Sequence, residues 1–476
     1  MQRSKSLPSI MNRTIDRRRF LKGAAALTAG AATLPALQGL NLLGAGGRAY
    51  AAPGAGGYGP IAPVKDLRDG VERIALPKGF HYRSFSVSGD TMSDDNLVPL
   101  APDGMASFVM PNGTVRLVRN HEDRNGPGGG STGGDEGTKY DLLGGGGTTT
   151  LVIDPASREM IRDFISLNGT IVNCAGGATP WDSWLTCEET NSGIPQGWGA
   201  QHGYAFDVPA ASDITVPAVP LPALGRFAHE AIAVDPNSWI VYETEDSGST
   251  SGFYRFIADT PGDLTSGKLQ MLKVSGIDNY ETREDQVVGV ALPVEWVDID
   301  EPNPAGQGSE DIYNQGAELG AARFTRLEGC WYGSGSIYFV STNGGNAGAG
   351  QVWQYTPAGA GGSLTLVFES PSDDVLDAPD NLTVSPQGSI LLCEDGGGEQ
   401  YLRAVNPSGE IFDFALNLLN EDEWAGATFA VHGPSLNPNH VTLFVNLFGV
   451  SRFSDLVPDR RGMTLAIWGP WSKGAL

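Results

Sequence analysis

The sequence predicts an all-β protein, a six-bladed β-propeller with loop insertions. Sixty-five glycines and 31 prolines in 476 residues separate short apolar runs, a pattern typical of many short strands joined by turns. Helical periodicity is nearly absent after the N-terminal segment. A weak repeat of strand, turn and second strand recurs at steps of 52 residues, from Gly335 to Gln387 to Asn439. A repeat of this length with several strands is typical of propellers, with a β-sandwich pair or a β-helix as alternatives.

The first 51 residues are predicted to be a twin-arginine signal peptide outside the fold. The run DRRRFLK at 16–22 contains paired arginines followed by an apolar residue and a lysine, and an Ala/Gly/Leu stretch follows it. Ala49-Tyr50-Ala51 has the small-x-small form of a cleavage site. A membrane anchor is the alternative, but Gly, Thr and Pro make this stretch weakly apolar for a spanning helix.

The same leader predicts where the protein works. We expect the twin-arginine translocase to export it to the periplasm, the cell surface or the medium, with no stable membrane anchor. Residues 52–476 are then a single propeller domain, which we expect to be monomeric. Length alone would allow two or three domains, but closed all-β folds often run longer as one unit.

Net charge excludes one class of partner. The whole chain has 31 basic and 55 acidic residues, and without the leader 23 basic and 54 acidic residues remain, a formal charge of −31. No basic stripe is present to neutralise phosphates, which argues against nucleic-acid or anionic-membrane binding. A solvated acidic surface accounts for most of the excess, and the remainder fits a protein that binds cations.

Candidate strands are marked by alternation or by β-branched and aromatic residues. A strand at His81–Val87 is expected to close the ring by pairing with the C-terminal blade. Strand–turn junctions of the repeat are expected at Asp154-Pro155, Asp235-Pro236, Gly333–Gly335, Pro386–Gly388 and Asn437–Asn439. The clearest strands are Thr148–Ile153, Ala231–Val234, Trp239–Tyr242, Ser336–Val340, Ser389–Leu392 and Thr442–Val445.

Acidic groups recur where the predicted strands end, which is where a propeller channel collects side chains. One such group is usually a solvated turn, but eight spread over a closed fold are difficult to explain as turns alone. Converging carboxylates repel unless cations lie between them, and oxygen-rich sites suit calcium or magnesium. The groups are Asn120–Asp123, Thr186–Glu189, His229-Glu230, Tyr242–Asp246, Arg326–Gly329, Pro379–Asn381, Cys393–Gly396 and Glu423–Gly426.

The four cysteines fall into two kinds. Cys187, Cys330 and Cys393 lie in strand-like or motif contexts and are predicted to be small buried hydrophobes. Cys174 lies among small residues before a Pro-Trp turn, where a packed thiol and a metal thiolate are both open readings. A thiolate among carboxylates would suit iron or zinc.

Longer motifs around these residues resemble the PhoX family of secreted alkaline phosphatases. The run NCAGGATPW at 173–181 continues to WLTCEE at 184–189. Further similar motifs follow in the family's order, and the resemblance covers roughly residues 80 to 471. They are GRFAHE at 225–230, RLEG at 326–329, PDNL at 379–382, EWAGATF at 423–429 and WGPW at 468–471.

The resemblance implies hydrolysis of phosphate monoesters at two Fe(III) and three Ca²⁺ ions around an oxo bridge. It implies iron-side ligands at Cys174, Glu189, Glu230 and Glu328. Ligands for calcium, or for completing the cluster, are implied at Glu122, Asp380, Asp395 and Glu423. Asn120 and Arg326 match positions that hold the phosphate. A calcium-dependent propeller lactonase or esterase and a non-catalytic binding propeller are the alternative functions.

Overall fold

The computed structural model describes residues 56–306, 308–433, 435–437 and 439–476, and these belong to one compact unit. The predicted signal peptide lies outside the described residues. Three strands precede the first blade. They are β1 (Ile61–Lys65), β2 (Glu72–Pro77) and β3 (His81–Phe85).

The next strands form three blades, each starting with its innermost strand. Blade 1 contains β4 (Pro102–Val109), β5 (Val115–His121), β6 (Gly146–Asp154) and β7 (Glu159–Thr170). Blade 2 contains β8 (Asn173–Ala178), β9 (Ser183–Glu188) and β10 (Ala205–Pro209). Blade 3 contains β11 (His229–Val234), β12 (Val241–Glu245), β13 (Phe253–Thr260) and β14 (Asp263–Val274). An added strand β15 (Ala291–Asp298) and the helix α1 (Gly308–Glu318) follow.

Three more blades complete the described chain. Blade 4 contains β16 (Leu327–Gly333), β17 (Ser336–Ser341), β18 (Gln351–Ala358) and β19 (Gly361–Glu369). Blade 5 contains β20 (Pro379–Val384), β21 (Ile390–Glu394), β22 (Tyr401–Val405) and β23 (Ile411–Asn417). Blade 6 contains β24 (Trp424–Val431), β25 (Val441–Leu447) and β26 (Met463–Trp468), with β3 as its fourth strand. Short 3₁₀ turns lie at Glu136–Thr138, Ile194–Gln196, Pro222–Leu224, Phe453–Asp455, Pro458–Arg460 and Trp471–Lys473.

The innermost strands contact one another in the order β4, β8, β11, β16, β20, β24 and back to β4. This closed sequence of neighbours is a six-bladed propeller, as the repeat predicted, and closure protects the inner sheet edges. The predicted closing strand is confirmed: β3 pairs antiparallel with β26, with Tyr82 opposite Ile467. The first and last parts of the described fold are thereby joined in blade 6.

Additional strands join or extend the blades at their outer edges. β15 pairs with β14 and with β19, which links blades 3 and 4 into a nine-stranded sheet. β2 pairs with β23, which extends blade 5. The core lies between blades, where side chains from adjacent sheets interdigitate. Between blades 3 and 4, for example, the rings of Phe253 and Phe339 stack with centroids 4.2 Å apart.

The predicted strands are present, with the following main differences. β3 ends at Phe85, two residues before its predicted end at Val87, because Ser86 has a φ of 49°. β12 begins at Val241 because Trp239 has a φ of 61° and belongs to the preceding turn. The Asp154-Pro155 turn connects the third and fourth strands of blade 1. The other four predicted junctions connect the first and second strands of their blades. Asp154-Pro155 is therefore out of phase with the repeat, because Asp-Pro signals a turn without specifying which pair of strands it joins.

Candidate metal centre

Each innermost strand begins with the same irregularity. In all six, the pairing register to the second strand shifts within the first residues, as between Pro102 and Met105 or between Leu327 and Cys330. A β-bulge leaves a residue unpaired and redirects its side chain. In each blade, one residue directly follows the residue at which the bulge starts. We call these six residues the inner ring. Its members, from blade 1 to blade 6, are Asp103, Cys174, Glu230, Glu328, Asp380 and Gly426.

Five inner-ring positions carry a group that can bind a metal, and blade 6 carries glycine instead. Gly426 has a φ of 62°, and a Cβ atom there would lie 2.3 Å from the carbonyl oxygen of Asp103. Blade 6 could not approach blade 1 this closely with a side chain at that position. The glycine is therefore explained by ring closure.

A second set of side chains follows the second strand of each blade. The backbone N–H of each donates to the carbonyl of the residue just before the innermost strand of its blade, with distances of 2.9–3.2 Å. This repeated bond holds the end of the second strand beside the start of the first. We call this set the outer ring. Its members are Glu122, Glu189, Asp246, Thr342, Asp395 and Phe448.

Most members of the two rings line a cavity of about 220 Å³, together with Arg124, Arg326, Glu423 and Ser451. All eight residues that the resemblance implied as metal ligands line it, and so does Arg326. The structure thus brings together residues that are up to 301 positions apart in the chain (Glu122 to Glu423). The lining residues are Asp103, Glu122, Arg124, Cys174, Glu189, Glu230, Arg326, Glu328, Asp380, Asp395, Glu423, Phe448 and Ser451.

Among the described residues, seven of the implied ligands form three compact groups that could each hold a metal ion. In each group, one ligand atom per residue lies within 4.8 Å of the others. Glu230 belongs to the first and second groups, and Asp380 belongs to the second and third. The sites are therefore adjacent. The groups are Cys174–Glu189–Glu230, Glu230–Glu328–Asp380 and Asp380–Asp395–Glu423.

The donor atoms differ along this series. The first group offers a thiol that is only 3% exposed together with two carboxylates, a set that suits a transition metal. The second and third groups offer only carboxylate oxygens, the ligands of hard cations such as calcium. Burial decreases in the same direction, and Asp395 is exposed. The residues present therefore fit both a transition metal and hard divalent cations.

Burial and mutual repulsion raise the pKa values of these acids. For Glu230, Glu328 and Glu423 burial is the larger cause, and the neighbouring carboxylates raise the pKa further. Burial also raises the pKa of Asp380 to about 6. Although Asp395 as a residue is exposed, its carboxyl group lies within the cavity, and desolvation there raises its pKa to about 6. Carboxylates this close are stable in the ionised form only when positive charge lies among them.

Two arginines supply positive charge at the cavity wall, each with its side chain 40% exposed. Nη2 of Arg124 contacts a carboxylate oxygen of Glu122 and lies 2.5 Å from Oε2 of Glu189. Arg326 donates from Nε and Nη2 to Asp246 at 3.2 and 3.3 Å, and from Nη2 to Glu328 at 2.8 Å. Among the described residues, Nη1 of both arginines has no hydrogen-bond acceptor, so each retains donors for an anion.

Asn120 lies outside the cavity. Its Nδ2 donates to the carbonyl oxygens of Cys174 and Ala175 at 3.1 and 2.6 Å, and its Oδ1 accepts from the indole N–H of Trp184 at 2.8 Å. The side chain is fully buried. It connects blade 1 to the strand that carries Cys174, so we do not carry forward its implied contact with phosphate.

Two charged cavity residues were missed by the sequence analysis, Asp103 and Arg124, as were the uncharged Phe448 and Ser451. Asp103 has the same place at the bulge as the four other ligand-type residues of the inner ring. Each of these is followed by a small or short residue, as in Asp103-Gly104 and Glu328-Gly329, and this pair could have been a signal. Arg124 carried no signal beyond its place two residues after Glu122.

The described cysteines are all buried and unpaired. Cys187 and Cys393 are fully buried and Cys330 is 2% exposed, within apolar clusters between the blades. They are the small buried hydrophobes that their sequence contexts predicted. Of the four, Cys174 alone lines the cavity.

A propeller channel that gathers adjacent groups able to hold metal ions, beside two arginines with free donors, has the features of a metal-dependent hydrolase of phosphate esters. The family model described as alkaline phosphatase PhoX matches residues 56–449. The chain belongs to this family and is an alkaline phosphatase acting on phosphate esters. The lactonase and non-catalytic alternatives are not favoured.

Three solved structures are similar to this chain, and the first of them supports the fold. PhoX of Pseudomonas fluorescens, in complex with vanadate, a transition state analogue, has a TM-score of 0.61 and 18% identity. The match covers 88% of this chain and 98% of that one. A luciferin-regenerating enzyme has a TM-score of 0.42 and 10% identity, covering 78% and 92%. The gluconolactonase XC5397 of Xanthomonas campestris has a TM-score of 0.37 and 9% identity, covering 87% and 98%.

A search of curated proteins found no match to this chain. In the described part of the chain, no helix has the length and apolar character needed to cross a membrane.

Proposed function

We propose that this phosphatase is exported and hydrolyses phosphate monoesters at a mixed iron and calcium centre held by the inner and outer rings. The observation that carries the proposal is the series of three adjacent metal-binding groups in one cavity with two arginines. The family supplies the reaction class, and the donor atoms support the choice of metals. We assign two Fe(III) and three Ca²⁺ ions, as the family resemblance implies.

The metal assignment follows the donors. Cys174 with Glu189 and Glu230 is assigned to iron, because a soft thiolate favours a transition metal over calcium. Glu328 is also assigned to the iron side, as the family resemblance implies. Asp380, Asp395, Glu423 and Glu122 are assigned to calcium, which takes six to eight oxygen ligands. When bound, these cations supply charge neutralisation for the phosphoryl group.

The arginines are assigned to bind and orient the phosphoryl group. Arg326 is fixed by Asp246 and Glu328, and Arg124 is fixed by Glu122 and Glu189. A guanidinium held in this way loses little freedom when it donates to phosphate oxygens. Two oriented guanidinium groups, Arg124 beside blade 1 and Arg326 beside blade 4, would fix the phosphoryl group against the metal-binding groups, which is the positioning that phosphoryl transfer requires.

The export proposal rests on the leader. If the paired arginines direct export, replacing Arg17 and Arg18 by lysine should leave the protein inside the cell, in its unprocessed form. Cell fractionation measures this, and normal export of the double variant would contradict it. The monomeric state remains an expectation that the mass in solution can check.

Hydrolysis of a chromogenic phosphate monoester by the purified protein at alkaline pH tests the function. Arg326→Ala and Arg124→Ala should each raise KM for the monoester and weaken inhibition by vanadate by roughly 10-fold or more, the worth of a charge-assisted contact. Arg162→Ala is the control, since Arg162 is similarly exposed at 43% but lies on an outer strand. Absence of hydrolysis by the metal-loaded wild type would contradict the proposal, as would a preference for phosphodiesters or lactones.

A further inference from the structure

Asp103 occupies the inner-ring position of blade 1. Its bulge, between Pro102 and Met105, corresponds to the bulges that place Cys174, Glu230 and Asp380. The proposed function assigns a metal to each of those residues and none to Asp103. The fold nevertheless gives its carboxylate the same place at the same end of the channel.

The surroundings of Asp103 offer it no cationic partner. The residue is only 5% exposed. Among the described residues, no side chain donates a hydrogen bond to its carboxylate and no arginine or lysine forms an ion pair with it. The backbone N–H of Gly104 is near the carboxylate of Asp103. The charged groups that act most strongly on this carboxylate are all acidic: Glu122, Asp380 and Glu189.

A buried carboxylate among other carboxylates is costly unless a cation neutralises it. Both arginines of the cavity are directed to other acids. Polypeptide groups therefore do not explain why an acid is kept at this position. A bound cation does.

We propose that Asp103 is a ligand to a hard divalent cation of the calcium class, which it shares with Glu122 and Asp380. This rests on the proposed metal centre and adds a fifth inner-ring ligand to it. Asp103 is outside the three compact groups, which is compatible with ligation, because oxygens on opposite sides of a calcium ion lie about 5 Å apart. Calcium also needs more oxygen donors than one compact group provides.

The test is the isosteric variant Asp103→Asn, compared with the wild type in chelator and in calcium. In chelator, the variant should unfold at a higher temperature than the wild type, because one repelling charge has been removed. In calcium, the order should reverse, because the variant loses a ligand. Equilibrium dialysis with elemental analysis should show one calcium ion fewer per chain, or a roughly 10-fold weaker affinity for one ion.

Two controls make the result specific. Asp163→Asn removes a carboxylate in blade 1 that is also buried, at 3% exposed. Unlike Asp103, Asp163 accepts hydrogen bonds, from the backbone N–H and the hydroxyl of Ser93. The Asp163→Asn variant should not reverse the order of stability. Asp103→Glu keeps the carboxylate and should retain the rise in unfolding temperature that calcium produces.

The outcomes separate this inference from the proposed function. Wild-type protein that binds no calcium would contradict the proposed centre itself. Wild-type protein that binds calcium, with Asp103→Asn equal to it in stoichiometry, affinity and calcium-dependent stability, would overturn only the role of Asp103. Failure of Asp103→Asn to fold in either condition would also overturn it, since a group that serves only a cation should be dispensable in the metal-free chain.

Discussion

At the scale of single residues, the thiol of Cys174 separates the two kinds of metal site. It lies 3.3 and 3.4 Å from the carbonyl oxygens of His229 and Glu230, the residues at the start of the next inner strand. Burial raises its pKa well above the usual value, and the nearby acids raise it further. Without a metal the group is therefore a neutral thiol, and a soft metal is needed to stabilise the thiolate.

Replacing this sulfur should separate iron from calcium. Cys174→Ser should lose iron, the visible absorption of an iron–thiolate bond and most activity, while the propeller and the calcium sites remain. Replacing a residue that hydrogen-bonds a metal ligand commonly lowers metal affinity or activity by 10–100-fold. Loss of a ligand itself should therefore lower turnover by more than about 100-fold. Elemental analysis, absorption spectra and turnover measure these effects.

The matched control is Cys187→Ser, a fully buried cysteine that does not line the cavity. It should lower the stability and leave the absorption spectrum unchanged. Wild-type iron content and turnover in Cys174→Ser would show that the sulfur is not a ligand.

A second residue-scale effect concerns Glu245, which is fully buried at the end of β12. Its Oε2 accepts from Tyr254 Oη at 2.8 Å and from the backbone N–H of Gly252 at 2.9 Å. Burial raises the pKa of Glu245 from 4.5 to about 7. The unfolded chain therefore loses this proton at lower pH than the folded chain does, and folding becomes less favourable between about pH 4.5 and 7.

Glu245→Gln removes this ionisation. The stability of the variant relative to the wild type should therefore increase by about 1–3 kcal/mol between pH 4.5 and pH 8.5, at about 1.4 kcal/mol per pKa unit. Urea unfolding in calcium at both pH values measures it. Glu159→Gln, at a carboxylate that is 60% exposed, should show almost no change with pH. An equal difference between Glu245→Gln and wild type at both pH values would refute the assignment.

The predicted strand ends contain seven cavity acids, because an acid at the end of a strand is visible in the sequence. The family resemblance then marked these acids and the thiol of Cys174 as ligands. Asp103 was not predicted because Pro102-Asp103-Gly104 has the composition of a turn, and turns and bulges use the same residues. Asn120 was expected at the phosphate because its position matches one that the family resemblance assigns to phosphate binding. Its side chain instead hydrogen-bonds to blade 2, a contact between blades that the local sequence does not specify.

At the scale of elements, the inner strands converge because small residues follow the ligand positions. A Cβ atom on Gly329 would lie 2.7 Å from the carbonyl oxygen of Asp380 and 2.8 Å from the backbone nitrogen of Leu382. Blades 4 and 5 would have to move apart to admit a methyl group. The spacing of Glu328 and Asp380, which share a compact group, depends on this contact.

Gly329→Ala should therefore weaken both the fold and the site. We expect a loss of 1–3 kcal/mol in the free energy of unfolding, the usual cost of overpacking, and reduced calcium content at a fixed free concentration. Gly248→Ala is the control, because a Cβ atom there would meet no atom within 4 Å and its φ is not positive. Full calcium binding by Gly329→Ala would mean that the close approach does not set the ligand spacing.

The strands themselves were largely predictable from alternation and β-branched residues, and so was the closing role of β3. β15 was not predicted. Its pairing with both β14 and β19 is a tertiary contact between blades, which the local sequence does not specify. The helix α1 was also missed, since one short helix gives little periodicity in a glycine-rich chain.

At the scale of the whole molecule, ring closure explains how distant residues form one site. Six copies of one bulge converge only because β24 returns to β4 and β3 completes blade 6. The 52-residue repeat predicted the ring, but it could not predict which side chains point into the channel. That depends on the bulge, which shifts the alternation of the strand locally.

The account's central claim is that phosphate-ester hydrolysis depends on metals held by the two rings. The most direct measurement is turnover of a chromogenic phosphate monoester before and after exhaustive chelation and dialysis, with metal content measured on the same samples. We predict that activity falls together with metal content and returns when iron and calcium are restored. Full activity in protein shown to be metal-free would contradict the claim.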